Sequence, residues 1–373
     1  MRWRAAWLAA LVLLALFGGV VWRWGRPATL ALALAAPATD AWVSPFIDHP
    51  RRDEIEIPSG SIRLHADLYR PGHARGTLLL VHGLSRAGRR QPDLERLARL
   101  LAGHGLLVVV PQFDGLAAFK LTGREVDDIR AALRHAAAIG TSTPDSTSPG
   151  SLGIAGFSFG AGPALIAAAG VPDLRVAASF GGYADLLHVI TYVTTGAHSF
   201  DGRRYVQRQE EYNRWKLLAL LTPLVAAPDQ RGLLDAIAQR KLAYPGDDTS
   251  ALERDLAPAG RAVLALAVNR REDQVARLVA ALPEGSREAL ERMSPLGAVP
   301  YIQARLLLAH GKADDSIPFT ESVRLAAAAG DRAHLALFVT FHHTGAQPFW
   351  SSVMTRTADA GRLLRVVDEL LGP

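Results

Sequence analysis

The sequence predicts an α/β protein with a mostly parallel central sheet and helices on both faces. Three observations carry this expectation. Short, nearly unbroken apolar runs, such as "GTLLLVHG" (76–83) and "GLLVVVPQ" (105–112), have the character of strands buried on both faces. Stretches with apolar residues at helical spacing alternate with these runs, as parallel crossovers require. With 373 residues, 49% of them hydrophobic and 21% charged, the chain has ample material for a buried core.

The first stretch is of a different kind. From Ala5 to Trp22, "AAWLAALVLLALFGGVVW" carries no charge. At about 1.5 Å per helical residue it covers about 27 Å, close to a hydrocarbon layer about 30 Å thick. Arg2, Arg4, Arg23 and Arg26 flank it, and four of the seven tryptophans (Trp3, Trp7, Trp22, Trp24) gather at its ends, where amphipathic rings favour a membrane interface. The expectation is a membrane anchor over 1–26 with the rest of the chain on the extracytoplasmic side. A cleaved signal peptide, with small residues in "ALALAAPA" (31–38), is the alternative. Residues 27–52, rich in Ala and Pro, read as a tether.

The core is expected over 53–182 and 301–373. Residues 53–72 alternate like a strand pair around Pro58-Ser59-Gly60. "QPDLERLARLLAGHG" (91–105) opens with proline and acid and ends at glycine, as a helix does. A second helix is expected over 124–140, and a polar loop separates it from the run "SLGIAGFS" (151–158). A helix over "GAGPALIAAAG" (160–170) follows, then strands over 174–182, 304–311 and 334–343. Between them, 183–300 offers helical patterns and no strong strand. A structureless loop of that length is improbable, so a helical lid or cap inserted over one end of the sheet is expected.

Composition excludes several chemistries. There is no cysteine, hence no disulfide, no thiolate nucleophile and no cysteine-held metal. The net charge of +5 comes from scattered arginines, without the basic run that tracks a phosphate backbone, so no nucleic-acid partner is expected. The glycines around Ser158 fail the dinucleotide spacing, and His342 and His343, being adjacent, do not converge on one ion. No cofactor and no metal are expected, and the sequence assigns no oligomeric state.

Reactive side chains fall at the carboxyl ends of the expected strands, where parallel sheets bind ligands. Ser158 lies in Gly156-Phe157-Ser158-Phe159-Gly160, a strand-to-helix turn so tight that a side chain at either glycine would collide with neighbouring backbone. His82-Gly83-Leu84 ends another strand, "HGKADDSIP" (310–318) follows a third, and His342-His343 closes the last. A serine hydroxyl is a poor nucleophile unless a base sits within hydrogen-bond reach, and that base needs a carboxylate to orient it. Ser158, Asp314 and His343 supply those parts in chain order, with Asp315, Asp185 and His342 as alternatives. The N–H groups of Phe159 and Leu84 are the candidate oxyanion donors. His65, His104 and His135 read as surface or satisfied core residues.

Taken in order, His82-Gly83, Gly156 to Gly160, His310 to Pro318 and the following histidine resemble the α/β-hydrolases. The likeness is narrower to the dienelactone-hydrolase and prolyl-oligopeptidase-like serine hydrolases. "PFTES" (318–322) is similar to bacterial membrane-associated members. The resemblance implies Ser158 as nucleophile, Asp314 as acid and His343 as general base. It implies a hydrolase of small carboxylic esters or thioesters working through an acyl-enzyme, with a peptidase of the same fold as an alternative. A non-catalytic binding or scaffold protein on that fold is the reading from another class.

Overall fold

A computed structural model describes residues 18–19, 21, 23–142, 151–339, 341–342, 345–346 and 353–372. Eight strands form one sheet: β1 (Arg51–Ser59), β2 (Ile62–Arg70), β3 (Gly76–Val81), β4 (Leu106–Pro111), β5 (Leu152–Phe157), β6 (Leu174–Phe180), β9 (Arg305–Gly311) and β10 (Ala333–Phe338). Their order across the sheet is β1-β2-β4-β3-β5-β6-β9-β10. The first two junctions are antiparallel and the remaining five parallel. This is the α/β-hydrolase fold that the motifs imply.

Side-chain alternation along the strands divides the interior into two layers. Leu79, Val81, Val109 and Ile154 face one side with Ile129, Ala132 and Leu133 of α3 (Arg124–Ser142), Leu165 of α4 (Ala161–Ala168) and Leu325 of α11 (Thr320–Ala329). Leu78, Leu80, Val108 and Ala155 face the other, with Leu94 and Leu101 of α2 (Pro92–Gly103) and Val366, Val367 and Leu370 of α12 (Val353–Leu371). Strands β3 to β5 are buried along nearly their whole length, which is why they read as continuous apolar runs.

A further helix, α1, spans 23–35. Where the sequence reads a tether from residue 27, this helix is packed against the second layer, with Leu30 and Ala33 fully buried. Polar contacts fasten it. Arg96 donates two bonds to the Asp40 carboxylate (2.6 and 2.9 Å) and one to the Ala33 carbonyl (2.7 Å), and Thr29 Oγ1 lies 3.0 Å from His104 Nε2. Arg23 forks onto Asp368 of α12 at 2.6 and 2.7 Å. Among the described residues no helix is long and apolar enough to cross a membrane. The expected anchor falls in a stretch that, before residue 23, lies outside the described residues except for 18, 19 and 21.

The 183–300 insertion is largely helical. It begins with α5 (Leu186–Thr195) and contains α6 (Glu211–Leu221), α7 (Pro228–Ala243), α8 (Pro258–Val268), α9 (Glu272–Ala280) and α10 (Glu284–Arg292). A short hairpin, β7 (Ala197–Phe200) with β8 (Arg203–Val206), departs from the strand-free expectation. Four residues a side, most of them polar, leave little apolar alternation to read. The insertion leaves and rejoins the core through a hydrogen-bonded neck. Leu296 N–H donates to Ala184 O (3.0 Å), Leu186 N–H to Ser294 Oγ (3.0 Å) and Tyr183 O–H to Met293 O (3.1 Å).

The last strand is shorter than expected. β10 ends at Phe338, and Phe341–His342 forms a separate antiparallel pair with Gly345–Ala346.

Because Leu30 is wholly buried, Leu30→Ala is expected to lower unfolding free energy by about 2–4 kcal/mol. Urea unfolding of the purified protein measures this, whereas a free tether would leave the midpoint unmoved.

Candidate active site

The chain bends at Ser158 because of the space around it. β5 ends at Phe157 in extended backbone (φ −116°, ψ 133°), and one 3₁₀ turn over Ser158–Gly160 leads directly into α4. Ser158 takes φ +50°. That left-handed conformation costs a non-glycine residue on the order of 1–3 kcal/mol and persists only where the surroundings impose it.

Three glycines impose it. A Cβ on Gly156 would stand 2.5 Å from Ala161 Cα, and one on Gly160 would stand 2.1 Å from the His82 carbonyl oxygen. A Cβ on Gly83 would stand 2.9 Å from Phe157 O and 3.0 Å from Ser158 Cβ. The helix is thus pulled back onto its own strand, and the loop after β3 rests on the bend. Both collisions expected for Gly156 and Gly160 are with backbone.

This packing brings Leu84 and Phe159 onto the walls of one narrow slot, with Val193, Asn213, Lys216 and Ser316. Among the described residues, neither the Leu84 nor the Phe159 N–H donates to a protein acceptor. His82 braces the loop from beneath. Its Nδ1–H donates to Gly83 O (2.8 Å) and its Nε2 accepts from Phe113 N–H (3.0 Å), which fixes the tautomer. Burial pushes this imidazole down from 6.5 to about 4, against the opposing pull of the Gly83 bond, so the ring is neutral near pH 7.

The loop after β9 holds Asp314. Its carboxylate is buried, and Oδ1 accepts from the N–H groups of Ser316 and Ile317, both at 2.9 Å. Oδ2 lies 3.5 Å from His310 Nε2 and faces Gly181 at the end of β6, where a Cβ would stand 3.4 Å from it. Tyr192 O–H donates to the Asp314 carbonyl at 2.6 Å. His310 supports the loop by lying within 3.0 Å of Ile317 O and 2.7 Å of Ser322 Oγ.

The alternatives part company here. Asp315 is half-buried, with Oδ1 accepting from Ser316 Oγ (3.2 Å) and its carbonyl accepting from Asn213 (2.9 Å). Asp185 caps α5, accepting from Leu187 N–H at 2.7 Å, so its carboxylate already serves a helix terminus. His342 lies on the short pair after β10, and His343 falls outside the described residues. Of the expected triad, Ser158 and Asp314 stand at the carboxyl ends of β5 and β9, with only β6 between those strands.

Sequence reasoning missed Glu321. It is wholly buried, and its Oε2 accepts from Ala184 N–H (3.1 Å) and Asp185 N–H (2.9 Å) while Oε1 meets His188 and Arg324, each at 3.2 Å. The adjacent Glu321 carboxylate raises His188 above the usual imidazole value. A glutamate in a first helical turn gives no sign of such burial; only the companion positions Ala184 and Asp185 reveal it. Lys216 was also missed. Its ammonium lies 5.0 Å over the Tyr212 ring, and burial holds it below its ordinary value despite Asp315 and Asp314.

The sequence from 59 to 344 matches the model of the X-Pro dipeptidyl-peptidase (S15) family. The chain belongs to that family. No curated protein sequence matches it. Among solved structures, it is similar to an acylaminoacyl peptidase from Pyrococcus horikoshii at 13% identity and TM-score 0.48, covering 89% of this chain and 42% of that one. It is also similar to an esterase domain from Rhodothermus marinus at 16% identity and TM-score 0.45, covering 84% and 96%. An α/β hydrolase, GrgF, from Penicillium matches at 16% identity and TM-score 0.48, covering 84% and 98%. This chain thus spans less than half the length of the acylaminoacyl peptidase.

Two outcomes follow for this S15-family site. Gly160→Ala is expected to cost about 3 kcal/mol or more, since the Val81–His82 backbone must move to admit the added methyl; thermal unfolding checks this. His82 titrates lower in the folded chain than in the unfolded one, so its stabilising contribution is complete above pH 6.5 and lost as pH falls toward 4. Urea unfolding at pH 7 and pH 5 should show His82→Gln removing part of the wild-type acid slope.

Proposed function

We propose that the protein hydrolyses carboxylic esters or thioesters through an acyl-enzyme at Ser158. The observation that carries this reading is the serine at φ +50° between the end of β5 and α4, clamped by glycines and the His82-Gly83 loop. Ser158 Oγ attacks the acyl carbonyl while a histidine of the 342–343 pair, His343 by the family resemblance, takes its proton. Asp314 orients that imidazole and stabilises its charged form. The N–H groups of Phe159 and Leu84 receive the developing oxyanion. Water then attacks the acyl-enzyme, with the same histidine as base. The insertion, which contributes Val193, Asn213 and Lys216 to the slot, acts as a lid that shapes the acyl site.

Esters are favoured on chemical grounds: an alkoxide or thiolate leaves more readily than an amide nitrogen, which must be protonated as it departs. The second reading, a peptidase, is favoured by the X-Pro dipeptidyl-peptidase family match.

Ser158→Ala is expected to lower kcat/KM toward a short p-nitrophenyl ester by at least about a thousandfold and to abolish labelling by a fluorophosphonate probe. Unchanged turnover or labelling in the variant overturns the reading. Wild-type cleavage of Ala-Pro-p-nitroanilide with higher kcat/KM than the ester decides for the peptidase.

A further inference from the structure

A cavity of about 770 Å³ opens at the edge of the sheet opposite Ser158. Its location follows from topology. Arg75 immediately precedes β3, Arg175 is the second residue of β6, and Arg305 is the first of β9. The sheet is parallel from β3 through β9, so these residues share the edge where strands begin, whereas Ser158 lies where β5 ends. Arg23 and Arg26 of α1 complete the wall, with Asp368 and Glu369 of α12.

The charges do not balance. Asp368 is engaged by Arg23 at 2.6 Å, and Glu369 by Arg305 at 3.5 Å and His334 at 2.8 Å. Among the described residues no carboxylate pairs with Arg26, Arg75 or Arg175. Arg175 spends Nη1 and Nη2 on the carbonyls of Glu369 and Leu370, both at 2.7 Å, and its buried Nε has no acceptor among the described residues. Arg26 donates to the His104 carbonyl, and burial together with neighbouring Arg75 holds its guanidinium below the ordinary value. Like charges gathered around a cleft, with a donor left over, form a receptacle for a compact anion with several acceptor oxygens.

We propose that this cavity binds a phosphate-ester anion through Arg26, Arg75 and Arg175. A phosphate matches the planar donor forks of guanidinium groups and offers oxygens to more than one of them at once. The volume leaves room for the attached alcohol. Arg23 directly follows the uncharged run 5–22, which points to a lipid headgroup as one source of the phosphate; a soluble phosphate compound is the other.

Calorimetric titration of the full-length protein in detergent tests this, with glycerol 1-phosphate and inorganic phosphate as probes. Flotation with vesicles of phosphatidylcholine alone, or of an equimolar mixture with phosphatidylglycerol, separates the sources. Arg75 is exposed and makes no side-chain hydrogen bond to the described residues, so Arg75→Glu should unfold at the wild-type temperature. It is expected to weaken the binding of either probe at least about tenfold, while Arg63→Glu, the same charge change outside the cavity, leaves it unaltered. Added flotation on phosphatidylglycerol that Arg75→Glu removes identifies a lipid; binding of the soluble probes with equal flotation on both vesicles identifies a soluble phosphate. No saturable binding of either probe, or equal weakening by both variants, overturns the proposal.

Discussion

Two stretches of backbone meet where β3 and β5 end, and the candidate site is built on that meeting. With a Cβ position at Gly160 only 2.1 Å from the His82 carbonyl oxygen, no other residue can stand there without parting the two loops. The closeness holds Ser158 in a conformation it would otherwise leave, and places Leu84 and Phe159 on one slot. It also explains why His82 is neutral and doubly bonded. A loop pressed against the bend needs a stiff prop beneath it, and a buried ring between Gly83 and Phe113 supplies one without introducing charge.

The loop after β9 follows the opposite electrostatic logic. A buried carboxylate requires compensation, and Asp314 receives it from two backbone N–H groups of its own turn. Glu321, one helix further on, is compensated from elsewhere, by two backbone N–H groups at the start of the insertion and by His188 and Arg324. The segment 314–321 thus joins two jobs. Its first carboxylate faces the strand ends, and its last anchors the excursion that leaves β6.

Much of this was legible in the residues, and the reason is steric. A glycine spacing that brackets a serine between strand and helix has few structural solutions, and buried strands announce themselves by unbroken apolar runs. The capping role of Asp185 and the burial of Glu321 were not legible, because each depends on a partner distant in sequence or on a helix start not visible beforehand. Residues 27–35 misled through composition. Alanines and a proline suggest a spacer, yet Leu30 and Ala33 lie three apart, on one helical face, and both are buried. The hairpin at 197–206 is held by an aromatic cluster in which His198 stacks on Tyr205 at 5.0 Å and meets Tyr192 and Phe319 edge-on. That is a tertiary arrangement without a local pattern. The same holds for the short last strand.

The neck of the insertion carries a consequence for the architecture as a whole. Tyr183 to Leu186 and Met293 to Leu296 are zipped together, so the chain returns to the core almost where it departed. Topologically the hundred-odd residues between are a detour with a closed gate. The sheet can be completed whatever the detour's length or content, and new contacts above the slot can be acquired there by lengthening or rewriting it without disturbing the strands beneath.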